Sequence, residues 1–266
     1  MDNLLHNELI MLKVLDLFSG IGGFSLGLES TGHFETVAFC EKDQFCQKVL
    51  KKHWSNIPII DDVRRINGKE IKADVVTGGF PCQPFSVAGK RKGTDDDRYL
   101  WDETIRVVRE CKPKYFIGEN VEGLINIQQG MVLRQVQTDL EKEGFEVQCL
   151  IIPASGIGAW HQRKRIWIIG CDVSNSRSRN AQSRCVGQKL SSEEIEKGKT
   201  TRSTWSNSSS KNRTWWQTQS ELCGVPNGVS YELDKDRANR VKALGNSIVP
   251  QIARELGKAI IEAENV

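Results

Sequence analysis

Pro81-Cys82-Gln83-Pro84-Phe85-Ser86 follows the apolar run Ala73-Asp74-Val75-Val76-Thr77-Gly78-Gly79. Each proline fixes its own φ and restricts the residue before it, so Cys82 is held in few conformations. A thiol at the carboxyl end of a buried strand faces the crevice where open parallel sheets take ligands. That nominates Cys82 as a nucleophile among eight cysteines. The other seven form no Cys-x-x-Cys pair, which argues against zinc. Several lie in apolar runs, where cysteine is a small buried hydrophobe. The reading is a reduced, cytoplasmic chain without a metal.

Four further blocks could do chemistry. Asp16-Leu17-Phe18-Ser19-Gly20-Ile21-Gly22-Gly23 has the form of a strand running into a glycine-rich turn before a helix. Such a turn lets a ligand approach the backbone and offers it free N–H groups. Glu41 ends the next strand, where an acidic side chain can grip a ribose. The glycine order is not Gly-x-Gly-x-x-Gly, so an adenosine-containing cofactor other than NAD is expected. Glu119-Asn120-Val121 follows another apolar strand, and a desolvated glutamate there would hold its proton and could donate it. The other reading of Glu119 is a cap or an ion-paired surface carboxyl. Arg163 and Arg165, if extended, point to one side and could clamp a phosphate or an anionic ring oxygen. Equally, they could be a solvated basic edge.

The elements needed to position these groups are legible. Residues 13–18, 34–40, 58–60, 73–77, 115–118, 147–152 and 166–169 read as strands. Helical patterns lie at 24–30, 43–52, 99–111 and 131–143. This alternation argues a doubly wound, mostly parallel α/β sheet covered on both faces. After Ser174 the chain is rich in Ser, Asn, Thr, Gln and Arg, and it cannot build much core. Leu244-Gly245-Asn246-Ser247 reads as a loop, followed by an amphipathic helix on Ile248, Val249, Ile252, Leu256 and Ile260. We expect a catalytic and cofactor domain over 1–173, a small recognition segment over 174–236, and a C-terminal segment over 237–266 returning to the first domain.

The net charge of +3 is uneven. Between Ser174 and Ser220 nine Lys/Arg face three Glu, a surplus of six, which leaves the rest of the chain near −3. A basic segment on a slightly acidic body suits a polyanion, although a solvated loop would look the same. Trp205, Trp215 and Trp216 among those charges could stack on bases or anchor the segment. No run reaches the roughly 18–20 apolar residues of a membrane span. Residues 1–11 carry no Lys or Arg and do not read as a signal peptide.

Taken in order, these blocks together with Gly245-Asn246-Ser247 resemble the DNA cytosine-5 methyltransferases of the bacterial and bacteriophage kind. The resemblance runs through nearly all of residues 13–170 and resumes at about Arg240. It implies a Rossmann-like fold and S-adenosyl-L-methionine as cofactor. It also implies that Cys82, Glu119, Arg163 and Arg165 are catalytic. Phe18, Ser19, Gly20, Ile21, Gly22, Gly23, Glu41, Lys42, Asp62, Val63, Phe80, Pro81, Leu100, Asn246 and Ser247 would bind the cofactor. Gln83, Ser86, Arg163 and Arg165 would meet DNA, with Trp205, Trp215 and Trp216 as further candidates. His161 stands where the family has glutamine. The implied reaction is methyl transfer to carbon 5 of a flipped-out cytosine in double-stranded DNA by a monomer, for restriction–modification or phage DNA protection. An RNA cytosine-5 methyltransferase and a catalytically silent DNA-binding protein are the alternatives.

Overall fold

The computed structural model describes residues 11–81, 100–173 and 237–264. Cys82, Gln83, Ser86, Trp205, Trp215 and Trp216 lie outside the described residues, as does the segment expected over 174–236. The described strands form one seven-stranded sheet in the order β3-β2-β1-β4-β5-β7-β6. They are β1 (Leu12–Leu17), β2 (Phe34–Cys40), β3 (Ile59–Ile60), β4 (Val75–Gly78), β5 (Tyr115–Val121), β6 (Phe145–Pro153) and β7 (Lys164–Asp172). The helices are α1 (Gly23–Glu29), α2 (Gln44–His53), α3 (Trp101–Cys111), α4 (Met131–Lys142), α5 (Arg237–Asn246) and α6 (Pro250–Glu264).

Strand residues alternate between faces because successive side chains point opposite ways. Val14, Val75, Ile117 and Trp167 pack with α1 and α6 through Phe24, Leu28, Ile252 and Ile260. Leu15, Val76, Phe116, Ile166 and Ile168 pack with α3 and α4 through Trp101, Ile105, Val136 and Leu140. Both sheet faces are therefore dry, and the central strands read as continuous apolar runs rather than alternating ones. Trp101 is fully buried and donates its indole N–H to Asp139 at 3.1 Å, tying α3 to α4. Burying a side chain of that kind stabilises by roughly 1.5–3 kcal/mol.

The chain starts in the middle of the sheet. From β1 it winds outward through β2 to β3, then returns to β4 on the other side of β1. The crevice where the winding reverses lies beyond the carboxyl ends of β1 and β4, and ligands of such sheets sit there. The pairs β1–β2, β2–β3, β1–β4 and β4–β5 are parallel, whereas β5–β7 and β6–β7 are antiparallel. The reason for the antiparallel pair β6–β7 is the short connection over residues 154–163, which holds one 3-10 turn and no crossover helix. The antiparallel partner also lengthens β5. It pairs with β7 through Val121–Arg165, so Glu119 stands inside the strand rather than after it.

Of the residues read as a loop, Leu244, Gly245 and Asn246 belong to helix α5, a correction to the sequence reading. Of residues 238–246 only Ala243 is buried, so no apolar stripe marks this helix in the sequence. A break over residues 247–249 precedes Pro250, consistent with the helix-averse residue before a proline. Helix α6 then packs closely on α1. A Cβ at Gly27 would collide with the Pro250 carbonyl, and one at Gly23 would meet Ile248 at 2.9 Å. These two glycines let the C-terminal segment approach the first turn of the chain.

Candidate active site

The carboxyl ends of the strands enclose a cavity of about 570 Å³. Its lining includes Phe18, Gly20, Glu41, Lys42, Asp62, Val63, Phe80, Pro81, Leu100 and Asn246 of the expected cofactor residues, together with Glu119, Arg163 and Arg165. The blocks at Phe18, Glu41, Asp62, Phe80, Glu119, Arg163 and Asn246, spread along more than two hundred residues, thus meet in one crevice.

At one end the glycine-rich turn is set by hydrogen bonds. Ser19 is buried and donates its hydroxyl to the Asp16 carbonyl at 2.6 Å, and Phe18 takes a positive φ of 53°. Glu41 accepts the Gly20 N–H and the Asp43 N–H, both at 2.7 Å. It thereby joins the turn after β1 to the start of α2, where Asp43 caps Phe45 and Cys46. Ser19, Ile21, Gly22, Gly23 and Ser247 do not line the cavity. Gly22 has a φ of 84° and lies under Trp54, while Gly23 faces Ile248. The two glycines serve chain packing here, behind the turn.

At the other end stands Glu119. Burial pushes its carboxyl up to about 7, against the opposing pull of the Arg165 and Arg163 charges. Arg165 Nε lies 3.1 Å from Glu119 Oε1. Asn120, also buried, donates its side-chain amide to the Phe80 carbonyl at 2.9 Å and accepts the Val121 N–H at 2.9 Å. The end of β5 is thereby fastened to the Phe80-Pro81 segment that runs into Cys82.

The two arginines do not act as the extended pair expected from sequence. Arg163 has a φ of 29°, in a region that disfavours non-glycine residues, just before β7 begins. Its guanidinium turns to the C-terminal segment and donates to the carbonyls of Gly245 at 2.8 Å and Ser247 at 2.9 Å. Both arginines face the cavity, but their partners differ.

The sequence reading missed several lining groups. Asp43 and Asp61 add carboxyls at the Glu41 end, and Asn239, Lys242 and Ala243 come from α5. Lys242 pairs with Asp43 at 3.3 Å. Asp43 could have been found as a helix cap two residues past Glu41, but α5 left no periodic signal. Asp16, fully buried, accepts from Thr77 at 2.7 Å and Ser25 at 3.0 Å, and burial pushes it up to about 6. It braces β1, β4 and α1 behind the cavity.

The donor set fits S-adenosylmethionine. Phe18, Val63, Phe80 and Leu100 supply apolar walls for a flat ring, and Glu41 and Asp62 supply acceptors for hydroxyls and amines. The surplus of carboxyls at that end suits a cation. An added Cβ at Gly20 would meet no atom within 4 Å, so the backbone is open to a ligand there. Burial pushes the thiols of Cys40, Cys46, Cys111 and Cys149 up to about 12, 11, 11 and 11, where they are poor nucleophiles. No group of metal-binding side chains occurs among the described residues. No described helix is long and apolar enough to cross a membrane.

Comparison with known proteins agrees with this geometry. Type II methyltransferase M.Bsp6I of Bacillus sp. (strain RFL6) is 38% identical over 164 residues, 60% of this chain and 52% of that protein. Type II methyltransferase M.AquIA of Picosynechococcus sp. is 35% identical over 179 residues, 59% of this chain and 71% of that protein. The match spans between 37% and 52% of the relative's own length in M.Bsp6I and most of the other relatives compared, less than two thirds of those proteins. A DNA modification methyltransferase encoded within an E. coli prophage superimposes with a TM-score of 0.53 at 28% identity, over 61% of this chain and 47% of that one. Spodoptera frugiperda DNMT2 shares the fold, with a TM-score of 0.55 at 22% identity, over 63% of this chain and 52% of that one. The family model for C-5 cytosine-specific DNA methylases matches residues 12–222, most of the sequence and every block of the cavity except the C-terminal one, and the chain belongs to that family.

Proposed function

We propose that this chain transfers a methyl group from S-adenosylmethionine to carbon 5 of a cytosine flipped out of double-stranded DNA, as the modification enzyme of a restriction–modification pair or in phage DNA protection. The observation that carries this reading is a largely desolvated carboxyl pushed up to about 7, Glu119, sharing one cavity with Glu41 and with the segment leading into Cys82. Membership of the family and the relatives named Type II methyltransferases support the substrate and the biological setting.

Carbon 5 of cytosine is too weak a nucleophile to be methylated directly. The Cys82 thiolate adds to carbon 6, and the Glu119 proton passes to ring nitrogen 3. The ring becomes an enamine nucleophilic at carbon 5. The bound cofactor supplies an electrophilic methyl on a sulfonium. Once carbon 5 carries the methyl, a base removes the carbon 5 proton, the Cys82 thiolate is expelled, the proton on ring nitrogen 3 returns to Glu119, and 5-methylcytosine remains. Arg165 holds Glu119 in place, and the Arg163 and Arg165 charges favour thiolate over thiol nearby. Glu41 fixes the turn on which the cofactor rests. Cys82, Gln83, Ser86 and Arg165 meet the target strand in this reading, Arg163 being turned to the Gly245 and Ser247 carbonyls instead, and Trp205, Trp215 and Trp216 contact the duplex. Flipping the base costs roughly a few kcal/mol, which protein–DNA contacts must offset.

The test is conversion-based cytosine sequencing of DNA from a methylation-free host expressing the protein or Cys82→Ala. We expect protected cytosines in one short motif, all lost in the variant. Protection that survives Cys82→Ala would rule out the covalent step. Unmodified DNA alongside methylated tRNA would move the substrate to RNA.

A further inference from the structure

We propose that Arg163 is a positioning residue for the cofactor, its guanidinium latching the Gly245-Asn246-Ser247 segment, and with it α5, over the S-adenosylmethionine pocket. The inference rests on reading the cavity as that pocket.

Helix α5 supplies Asn239, Lys242 and Ala243 to the cavity wall, and the following residues supply Gly245 and Asn246. Yet this wall has almost no apolar hold, since Ala243 is the one buried residue over 238–246. Helix α6, by contrast, is fastened to α1 through Ile252, Ala253 and Ile260. The wall is therefore a strap anchored at its α6 end. Two polar ties described for it reach the body of the fold. One is Arg163, donating to the Gly245 and Ser247 carbonyls at 2.8 and 2.9 Å. The other is Lys242 with Asp43 at 3.3 Å, on the rim beside Glu41.

The Arg163 tie is the stronger by its chemistry. A half-buried guanidinium sharing one nitrogen between two carbonyls makes charge-assisted bonds, which are about twice as strong as neutral ones. Lys242 and Asp43 meet at the surface, where screening leaves a pair with little net effect. The positive φ of Arg163 has a purpose on this account: an extended backbone would send the side chain along β7 with Arg165. The turn splits the two arginines, so that one serves Glu119 and the other serves the strap. A single short segment then links the catalytic end of the cavity to the wall of the cofactor end.

The experiment uses the full chain without DNA, so that loss of chemistry is not counted as loss of binding. Calorimetric titration with S-adenosylmethionine is run on the wild type, Arg163→Met and Lys164→Met. Amide hydrogen exchange over residues 244–249 is followed on the same three proteins without ligand. We expect Arg163→Met to bind at least tenfold more weakly and to exchange at least tenfold faster in that segment. Lys164→Met, at an exposed residue outside the cavity, should match the wild type within twofold in both, and Arg163→Lys should recover part of the loss. Unchanged exchange in Arg163→Met would overturn the latch, and faster exchange with unchanged binding would overturn its role in positioning the cofactor. A folded wild type that binds no S-adenosylmethionine would remove the reading of the cavity itself, while the exchange data would still report on the latch. Should Arg163→Met fail to fold, Arg163→Lys carries the test, with exchange over residues 244–249 at least threefold faster than in the wild type expected and wild-type exchange overturning the latch.

Discussion

Glu41 and Glu119 are both carboxyl groups near the carboxyl ends of sheet strands and both line one cavity, yet the fold gives them opposite tasks. Glu41 ends a strand of the parallel half and accepts two backbone N–H groups, from Gly20 and Asp43. Its oxygens organise a turn. Glu119 belongs to the antiparallel half, accepts no described backbone N–H, and is pushed up to about 7 by burial with Arg165 beside it. It can carry a proton near neutral pH. The difference shows that a carboxyl's role follows from what satisfies it, not from its position at a strand end.

The comparison breaks most visibly at Glu119. Glu119→Gln keeps the shape and loses the transferable acid, so turnover should fall by roughly 10²- to 10⁴-fold. Binding of S-adenosylmethionine should stay within about twofold, because Glu119 faces the other end. Equal losses in turnover and cofactor binding would erase the distinction. Glu41→Gln should show the converse in steady-state kinetics, with the cofactor KM raised by about ten- to a hundredfold. Two hydrogen bonds to a charged group are involved there, each worth about 1.5–3 kcal/mol. A fall in kcat with KM unchanged would mean that Glu41 acts in the chemistry.

The smallest effect is on stability against pH. Glu119 is raised in the folded chain from 4.5 to about 7, so its stabilising contribution is full below the unfolded value and is lost as pH rises through about 7. Asp16 behaves alike at about 6, which makes the window from pH 6 to 8 the one that isolates Glu119. In denaturant titrations across that window, wild type should lose on the order of 1 kcal/mol relative to Glu119→Gln. A difference constant with pH would show that Glu119 is already ionised in the folded protein.

Much of this was legible in the sequence. The blocks at Asp16, Glu41, Pro81, Glu119 and Arg163 stand at the ends of apolar runs, and runs bounded by glycine or proline are strong local signals. The β1 to α4 elements follow from the same runs, with boundaries shifted by a few residues. The helix α5 was not legible, because a helix whose one buried residue over 238–246 is Ala243 carries no apolar stripe. Nor was the antiparallel pairing of β6 and β7, which depends on the absence of a crossover helix between them.

By itself, then, the sequence determined the family, the doubly wound plan and the identity of the groups able to do chemistry, because those rest on residue type and local spacing. Only the tertiary structure decided what each group is for. Whether Glu119 holds a proton depends on burial by chain segments far away in sequence. Whether Arg163 points at the base or at the strap depends on one φ angle and on carbonyls more than eighty residues downstream. Desolvation and long-range hydrogen bonding exist only once the chain has closed on itself, and no local pattern encodes them.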